Sequence, residues 1–238
     1  MVSRTVPPDS QANQPTRAEA IYLLLQDAYG HPDWRPSYAP VDELVLTILS
    51  ANTSDINSGR AFKQLKAAYP DWQAVISAPV DELAEVIRPG GLAPTKAPRI
   101  QAALQHILEE RGEFNIDFLR DLPVEEAMGW LTQLDGVGHK TASIVLLFCY
   151  NRPAFPVDTH IQRVSQRLGI AGPNDDAARI KATWERLVPQ EWFYPLHLNL
   201  IRHGREMCAP RTPRCAACVL SAQCDWYTRN VNPEAQQA

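Results

Sequence analysis

No stretch of this chain is long and apolar enough to cross a membrane, which takes ~18 or more apolar residues in a row. The longest candidate, ASIVLLFCY at 142–150, has half that length and reads as a buried helix. The opening MVSRTVPPDSQANQPT has no apolar core, so it is not a secretory signal. It reads as a flexible leader over 1–16, and 229–238 reads as a flexible tail. An intracellular protein without a membrane partner is expected. Positive charge is also lacking: the formal net charge is −4. That excludes a uniformly basic surface but leaves room for a local phosphate-binding patch, for which Arg202, Arg205, Arg211 and Arg214 are candidates. No alternating run is long enough for a strand, and no fixed period repeats. Hydrophobic residues still make up 45% of 238, enough to fold one large domain or two small ones.

What remains is helical almost throughout. TRAEAIYLLLQDAYG opens with a capping box of Thr16 and Glu19. Asp55, Asp71 and Asp81 stand where caps of later helices belong, Pro70 ends one helix, and Gly112 closes the long KAPRIQAALQHILEERG. PGGLAPT reads as a loop. The fold class is all-α, with short helices joined by Pro- and Gly-bearing turns.

Of five cysteines, Cys149 stands alone and reads as a small buried hydrophobe. Cys208, Cys215, Cys218 and Cys224 are spaced Cys-x6-Cys-x2-Cys-x5-Cys. In a reducing compartment such crowding suits metal and not disulfides. Zinc or an iron–sulfur cluster would take four thiolates; zinc sites favour two close pairs, and here only the middle pair is close.

The segment LDGVGHKTASIVLL reads as a tight turn and a helix. Gly136 and Gly138 permit close approach of another chain. Their amides, with Val137, His139 and the positive helix end, make a phosphate site; the bland alternative is an ordinary interhelical turn. Lys140 follows in the helix's first turn, where the dipole disfavours a cation and so favours a nucleophilic amine. By itself it could equally be a solvated or phosphate-pairing lysine. In FPVDTHIQRV, Asp158 stands at a helix N-cap, which keeps a carboxylate ionised. A carboxylate and an activated lysine facing one cleft would suit chemistry at a sugar carbon.

LDGVGHKT, VDTH and the cysteine run, in that order, resemble the endonuclease III branch of the helix-hairpin-helix DNA glycosylases, from about residue 18 to 228. LSANTSD and GLAPTKA look like that family's two DNA-probing loops. The resemblance implies a six-helix domain over 34–152 and a cluster domain from 17–33 plus 153–228, with the active site in the cleft between them. It implies a 4Fe-4S cluster on Cys208, Cys215, Cys218 and Cys224, structural or DNA-sensing in role, and a monomer acting on damaged double-stranded DNA. A damaged base, here an oxidised pyrimidine, is flipped out of the duplex. Lys140 attacks C1′, expels the base and leaves a Schiff base, and β-elimination nicks the strand. Asp158 deprotonates the lysine or stabilises the charge growing on the sugar. Asn52 and Leu92 fill the gap and wedge the stack, Arg211 and Arg214 meet phosphates, and His160 is a possible pocket residue.

Several positions depart from the family's pattern. Asp135 replaces the hairpin proline, His139 the arginine before the lysine, and Thr132 an acidic residue. Asn52 is shorter than the common glutamine, and Gly90 stands where a bulky apolar residue is common. Other readings are a monofunctional glycosylase for a mismatched base or another lesion, a non-catalytic damaged-DNA-binding module, or an unrelated zinc protein. His31, His106, His197 and His203 read as surface or satisfied residues, and Trp130 as core.

Overall fold

The computed structural model describes residues 14–232. Of the leader expected over 1–16, residues 14–16 are described and are already helical; of the tail expected over 229–238, residues 229 and 230 close the last helix. Residues 231 and 232 follow that helix without regular structure, and 1–13 and 233–238 lie outside the described residues. Among the described residues there are twelve α-helices and no strand, the all-α class that the sequence predicts. In chain order they are α1 (Gln14–Tyr29), α2 (Pro40–Ser50), α3 (Asp55–Ala68), α4 (Trp72–Ser77), α5 (Val80–Val86), α6 (Ala93–Arg111), α7 (Val124–Leu131), α8 (His139–Tyr150), α9 (Thr159–Leu168), α10 (Ala177–Leu187), α11 (Phe193–Glu206) and α12 (Asp225–Asn230). No helix is long and apolar enough to cross a membrane among them.

The chain divides into two compact units. One is Arg35–Arg152; the other is the chain up to Trp34 together with the chain from Pro153 onward.

In the first unit α8 is buried along most of its length. It buries Ala142, Val145, Leu146 and Leu147 and also Thr141, Ser143, Cys149 and Tyr150, so no polar stripe interrupts it. Helix α2 packs against it through the apolar positions Val41, Leu44, Val45, Ile48 and Leu49; each fully buried leucine is worth ~1.5–3 kcal/mol. Burial pushes the Cys149 thiol far up, so it stays neutral and serves as the packing residue the sequence predicts.

Helix starts differ from expectation in physically readable ways. Ser54, and not Asp55, caps α3: its backbone is extended and its Oγ accepts from the Asn57 amide at 3.4 Å. Asp71 does cap α4, accepting from the Ala74 amide at 2.8 Å. Asp81 lies in the first turn of α5, behind Pro79 at the cap. Thr16 lies inside α1, because Pro15 is compatible with a helix's first turn. Much of the expected PGGLAPT loop is structured. Arg88–Gly90 is a 3-10 turn, and α6 already begins at Ala93, with Leu92 in the left-handed region at its cap.

One buried acid marks a pH response. Glu43 on α2 is 7% exposed and accepts a hydrogen bond from Thr47 Oγ1 at 3.3 Å; burial raises its pKa above the ordinary value of 4.5. From that value up to the raised one, the folded protein keeps a proton that the unfolded chain has released. Stability therefore falls as pH rises through that interval. Glu43→Gln is expected to melt higher than the parent at pH 7, with the difference fading at and below pH 4.5. Equal gains at both pH values would exclude the linkage.

In the second unit Trp184 is fully buried and its Nε1 donates to Ser165 Oγ at 2.8 Å. Phe155 stacks edge-on against Phe193 at 5.7 Å, and His197 Nδ1 lies 3.0 Å from the Pro156 carbonyl. Helix α1 joins this unit through packing on α11 and through Arg17. That guanidinium donates to the Gln223 carbonyl at 3.2 Å, donates to the Leu168 carbonyl, and pairs with Asp225.

Candidate functional site

The α7–α8 turn in the first unit carries the lysine. Of its two glycines only Gly136 is left-handed, at φ +78°; Gly138 is extended, at φ −93° and ψ 177°. A Cβ at Gly136 would come 2.9 Å from Arg99 Cδ, whereas a Cβ at Gly138 would meet nothing within 4 Å. The first glycine thus serves the turn and its packing, and the second leaves the outer face open. Val137 is 4% exposed and its amide donates to the Leu134 carbonyl at 3.1 Å, so it braces the turn from inside. Gly138 caps α8 without a side-chain hydrogen bond, and the amides that open a helix have no intrahelical acceptor. His139 and Lys140 are both exposed at that end.

Two departures acquire a local account. Asp135 is faced by Arg99 of α6, Nε to Oδ1 3.9 Å, so its charge beside the turn has a counter-charge. Thr132 turns inward and its Oγ1 donates to the Met128 carbonyl at 2.9 Å, closing α7.

The two loops of interest lie side by side in the same unit. A Cβ on Gly91 would sit 4.0 Å from Thr53 Oγ1. Asn52 and Leu92 have φ of +55° and +51°, a region that costs an ordinary L-residue ~1–2 kcal/mol. Leu92 is also 55% exposed. Gly90 is buried, and a Cβ there would lie 3.1 Å from Ala61 Cβ, which leaves no space for a bulky side chain. Beneath both loops lies a residue that the sequence reading passed over. Lys96 of α6 is 4% exposed, and its Nζ donates to the carbonyls of Leu49 at 2.6 Å and Gly90 at 2.7 Å. Burial lowers its pKa. The only sequence signal for it is a lysine among apolar positions at the start of a helix.

In the second unit Asp158 caps α9: one carboxylate oxygen accepts from the amides of His160 at 2.9 Å and Ile161 at 2.8 Å. The carboxylate is half-buried and its second oxygen has no hydrogen bond among the described residues. His160 packs against Gly204, where a Cβ would come within 2.9 Å of its own, and its Nδ1 lies 3.3 Å from Arg163 Nη2.

Cys208, Cys215, Cys218 and Cys224 line one cavity together with Arg167, His203, Leu220 and Tyr227. Among the described residues no three such donors gather tightly enough to grip a single metal ion. Several groups address the sulfurs: Arg167 Nη1 donates to Cys208 Sγ at 3.2 Å, the Tyr227 amide to Cys224 Sγ at 3.4 Å, and His203 Nε2 lies 3.6 Å from Cys218 Sγ. Burial pushes the Cys218 thiol up to about 11 and raises Cys215 and Cys224 as well. His203, expected to be a bland satisfied residue, does have a partner in the Tyr29 hydroxyl at 3.0 Å, but it also stands against this cavity, and burial lowers it to about 4. Arg211 and Arg214 are exposed on the adjoining loop, without an ion pair among the described residues. Trp130, expected in the core, is half-buried and donates to Glu110 at 2.6 Å.

The model of the HhH-GPD superfamily of base excision DNA repair proteins matches residues 45–190. Over 165 residues the chain is 39% identical to an Arabidopsis thaliana protein whose name assigns it to the DNA glycosylases, covering 69% of this chain and 56% of that one; it thus spans little more than half of that plant relative. It is 35% identical to an endonuclease III of Synechocystis sp. over 215 residues, which is 90% of this chain and 94% of that protein. A solved structure of a trapped endonuclease III–DNA covalent intermediate aligns with a TM-score of 0.74 at 27% identity, covering 94% of this chain and 99% of that one.

Proposed function

The chain belongs to the HhH-GPD superfamily of base excision DNA repair proteins, within the endonuclease III family, and from that premise we propose that it is a DNA glycosylase and abasic-site lyase for oxidised pyrimidines in duplex DNA. The observation that carries the reading is Lys140, an exposed amine on the first turn of a helix whose opening amides have no side-chain cap. Phosphate oxygens on those amides would hold the DNA backbone, and Lys140 would stand beside a deoxyribose. Its amine attacks C1′, the C1′–N bond breaks, and the base leaves with the electron pair and takes up a proton. The sugar ring then opens as the C1′–O4′ bond breaks and O4′ takes up a proton, the resulting Schiff base acidifies C2′, and β-elimination expels the 3′ phosphate. Asp158, fixed by two helix amides, receives the lysine proton or faces the charge growing on the sugar. The trapped covalent state of the related endonuclease III supports the same chemistry here.

The other residues take supporting roles. Asn52 and Leu92 enter the duplex as the base leaves it. His139, Arg211 and Arg214 meet phosphates, and His160 lies two residues beyond Asp158. Four free thiols around one cavity, too dispersed for a single zinc ion with all sulfurs at ~2.3 Å, fit a 4Fe-4S cluster. Cys208, Cys215, Cys218 and Cys224 would hold it, with Arg167 and the Tyr227 amide directed at sulfur. When bound, such a cluster supplies a rigid support for the loop of Arg211 and Arg214. The protein works inside the cell as a monomer, since one chain carries both Lys140 and Asp158.

Borohydride trapping tests the reading. Wild type and Lys140→Gln are incubated with duplexes that carry one oxidised pyrimidine or one abasic site. A covalent protein–DNA band that the variant lacks is expected. No band from wild-type protein that binds the DNA would make it a monofunctional glycosylase or a binding module. Leu92 gives a second prediction. Leu92→Gly should raise the melting temperature by ~2–4 °C, because the left-handed backbone then carries no strain, while excision from duplex DNA falls. A gain in both would remove Leu92 from the site.

A further inference from the structure

We propose that Lys96 is a positioning residue for base extrusion, one whose ammonium ties the roots of the Asn52 and Leu92 loops into a single body. The proposal rests on the glycosylase reading for what the loops do, but its geometry stands alone. Leu49 is in the last turn of α2, where a helix leaves its carbonyls without intrahelical donors; the Asn52 loop begins two residues later. Gly90 ends the 3-10 turn, two residues before Leu92. The two carbonyls converge on one Nζ, at 2.6 and 2.7 Å, across sequence separations of 47 and 6 residues.

Such an arrangement is costly unless it has a use. An ammonium buried away from water needs compensation, and Lys96 has no carboxylate partner among the described residues. A methionine would fill the same space without a charge. What lysine adds is three donors on a compact tetrahedral head, able to hold two backbone segments at once. Both segments need holding, since each carries a non-glycine residue in the left-handed region, and such residues persist only where their surroundings fix them. Buried Gly90, pressed against Ala61, fixes one root sterically. Lys96 couples that root to the other. An intercalating pair must arrive together, so a shift of one loop relative to its neighbour by about 1 Å should cost ~100-fold in productive extrusion.

The test compares wild type, Lys96→Met and Lys96→Arg. Extrusion is read without chemistry, from the fluorescence of 2-aminopurine beside a non-cleavable abasic analogue in duplex DNA. Chemistry is read on two substrates: a duplex with one damaged base, and a single-stranded abasic oligonucleotide whose sugar is open without extrusion. Lys96→Met should lose most of the fluorescence rise and slow duplex excision by about 10- to 100-fold, yet cleave the single strand at the wild-type rate. Lys96→Arg, whose guanidinium can still bridge both carbonyls, should recover the fluorescence. A Lys96→Met that matches wild type in the fluorescence assay, or one that loses the single strand as much as the duplex, would overturn the proposal. Failure of the lyase reading looks different, because wild type would then give the fluorescence rise without cleavage of either substrate. Should Lys96→Met not fold, Lys96→Gln, with donors for one carbonyl, is read in the same way and should lose less.

Discussion

Asp158→Asn should fold like the parent and lose the reaction. Asparagine caps a helix about as well as aspartate, so its side-chain oxygen can still accept from the His160 and Ile161 amides, now met at 2.9 and 2.8 Å. It cannot take a proton from an amine or offset a positive charge, and removing a positioned general base costs ~10²–10⁴ in rate. Asp158→Ala should add a stability loss of ~1 kcal/mol as the cap disappears. The informative quantity is the contrast. Melting curves should superpose for wild type and asparagine and drop for alanine, while single-turnover excision falls for both. An active asparagine variant would leave Asp158 as a cap and nothing more.

Loss of the proposed cluster should be the largest structural effect. The cysteine cavity is lined from α9, α11, α12 and the loop that joins the last two, and burial raises the pKa of the Cys215, Cys218 and Cys224 thiols. Folding of such a site depends on what the thiolates hold. Oxidative removal of the cluster, or Cys218→Ser, should bleach the yellow-brown colour and strip hydrogen-exchange protection from residues 153–232. Residues 35–152 should keep theirs, because that unit has its own core. Helix α1 should fail with the distant segment and not with its sequence neighbours, since Arg17 reaches Gln223 and Asp225. Retained protection over 153–232 after bleaching would make the cluster dispensable for the fold.

The sequence discloses local chemistry better than tertiary chemistry. Asp158 is readable as a cap because caps are a property of four or five consecutive residues. The cysteines are readable because their spacing is itself the signal. The all-α class follows from periodicity and the lack of alternating runs. Boundaries are less legible where two candidates stand together: Ser54 and Asp55 both suit a cap, and only the backbone angle of Ser54 decides. The partnerships of Lys96 with Leu49, Arg99 with Asp135 and His203 with Cys218 have no local pattern. They arise when segments separated by 47, 36 or 15 residues meet. Trp130, on the helix before the hairpin, reads as core, but its indole N–H needs an acceptor and finds Glu110 at the surface.

Arg17 also bears on the order of events at the ribosome. Helix α1 precedes the helices it packs against, Ala177–Leu187 and Phe193–Glu206, by more than 140 residues. At ~5–20 residues per second that delay is roughly 10–30 s. Throughout it, Ile21 and Leu25, both inaccessible in the finished protein, have no native surface to cover them. The unit Arg35–Arg152 completes itself meanwhile. A nascent chain stalled near residue 160 should therefore resist protease over 35–152 while remaining cleavable within 14–29.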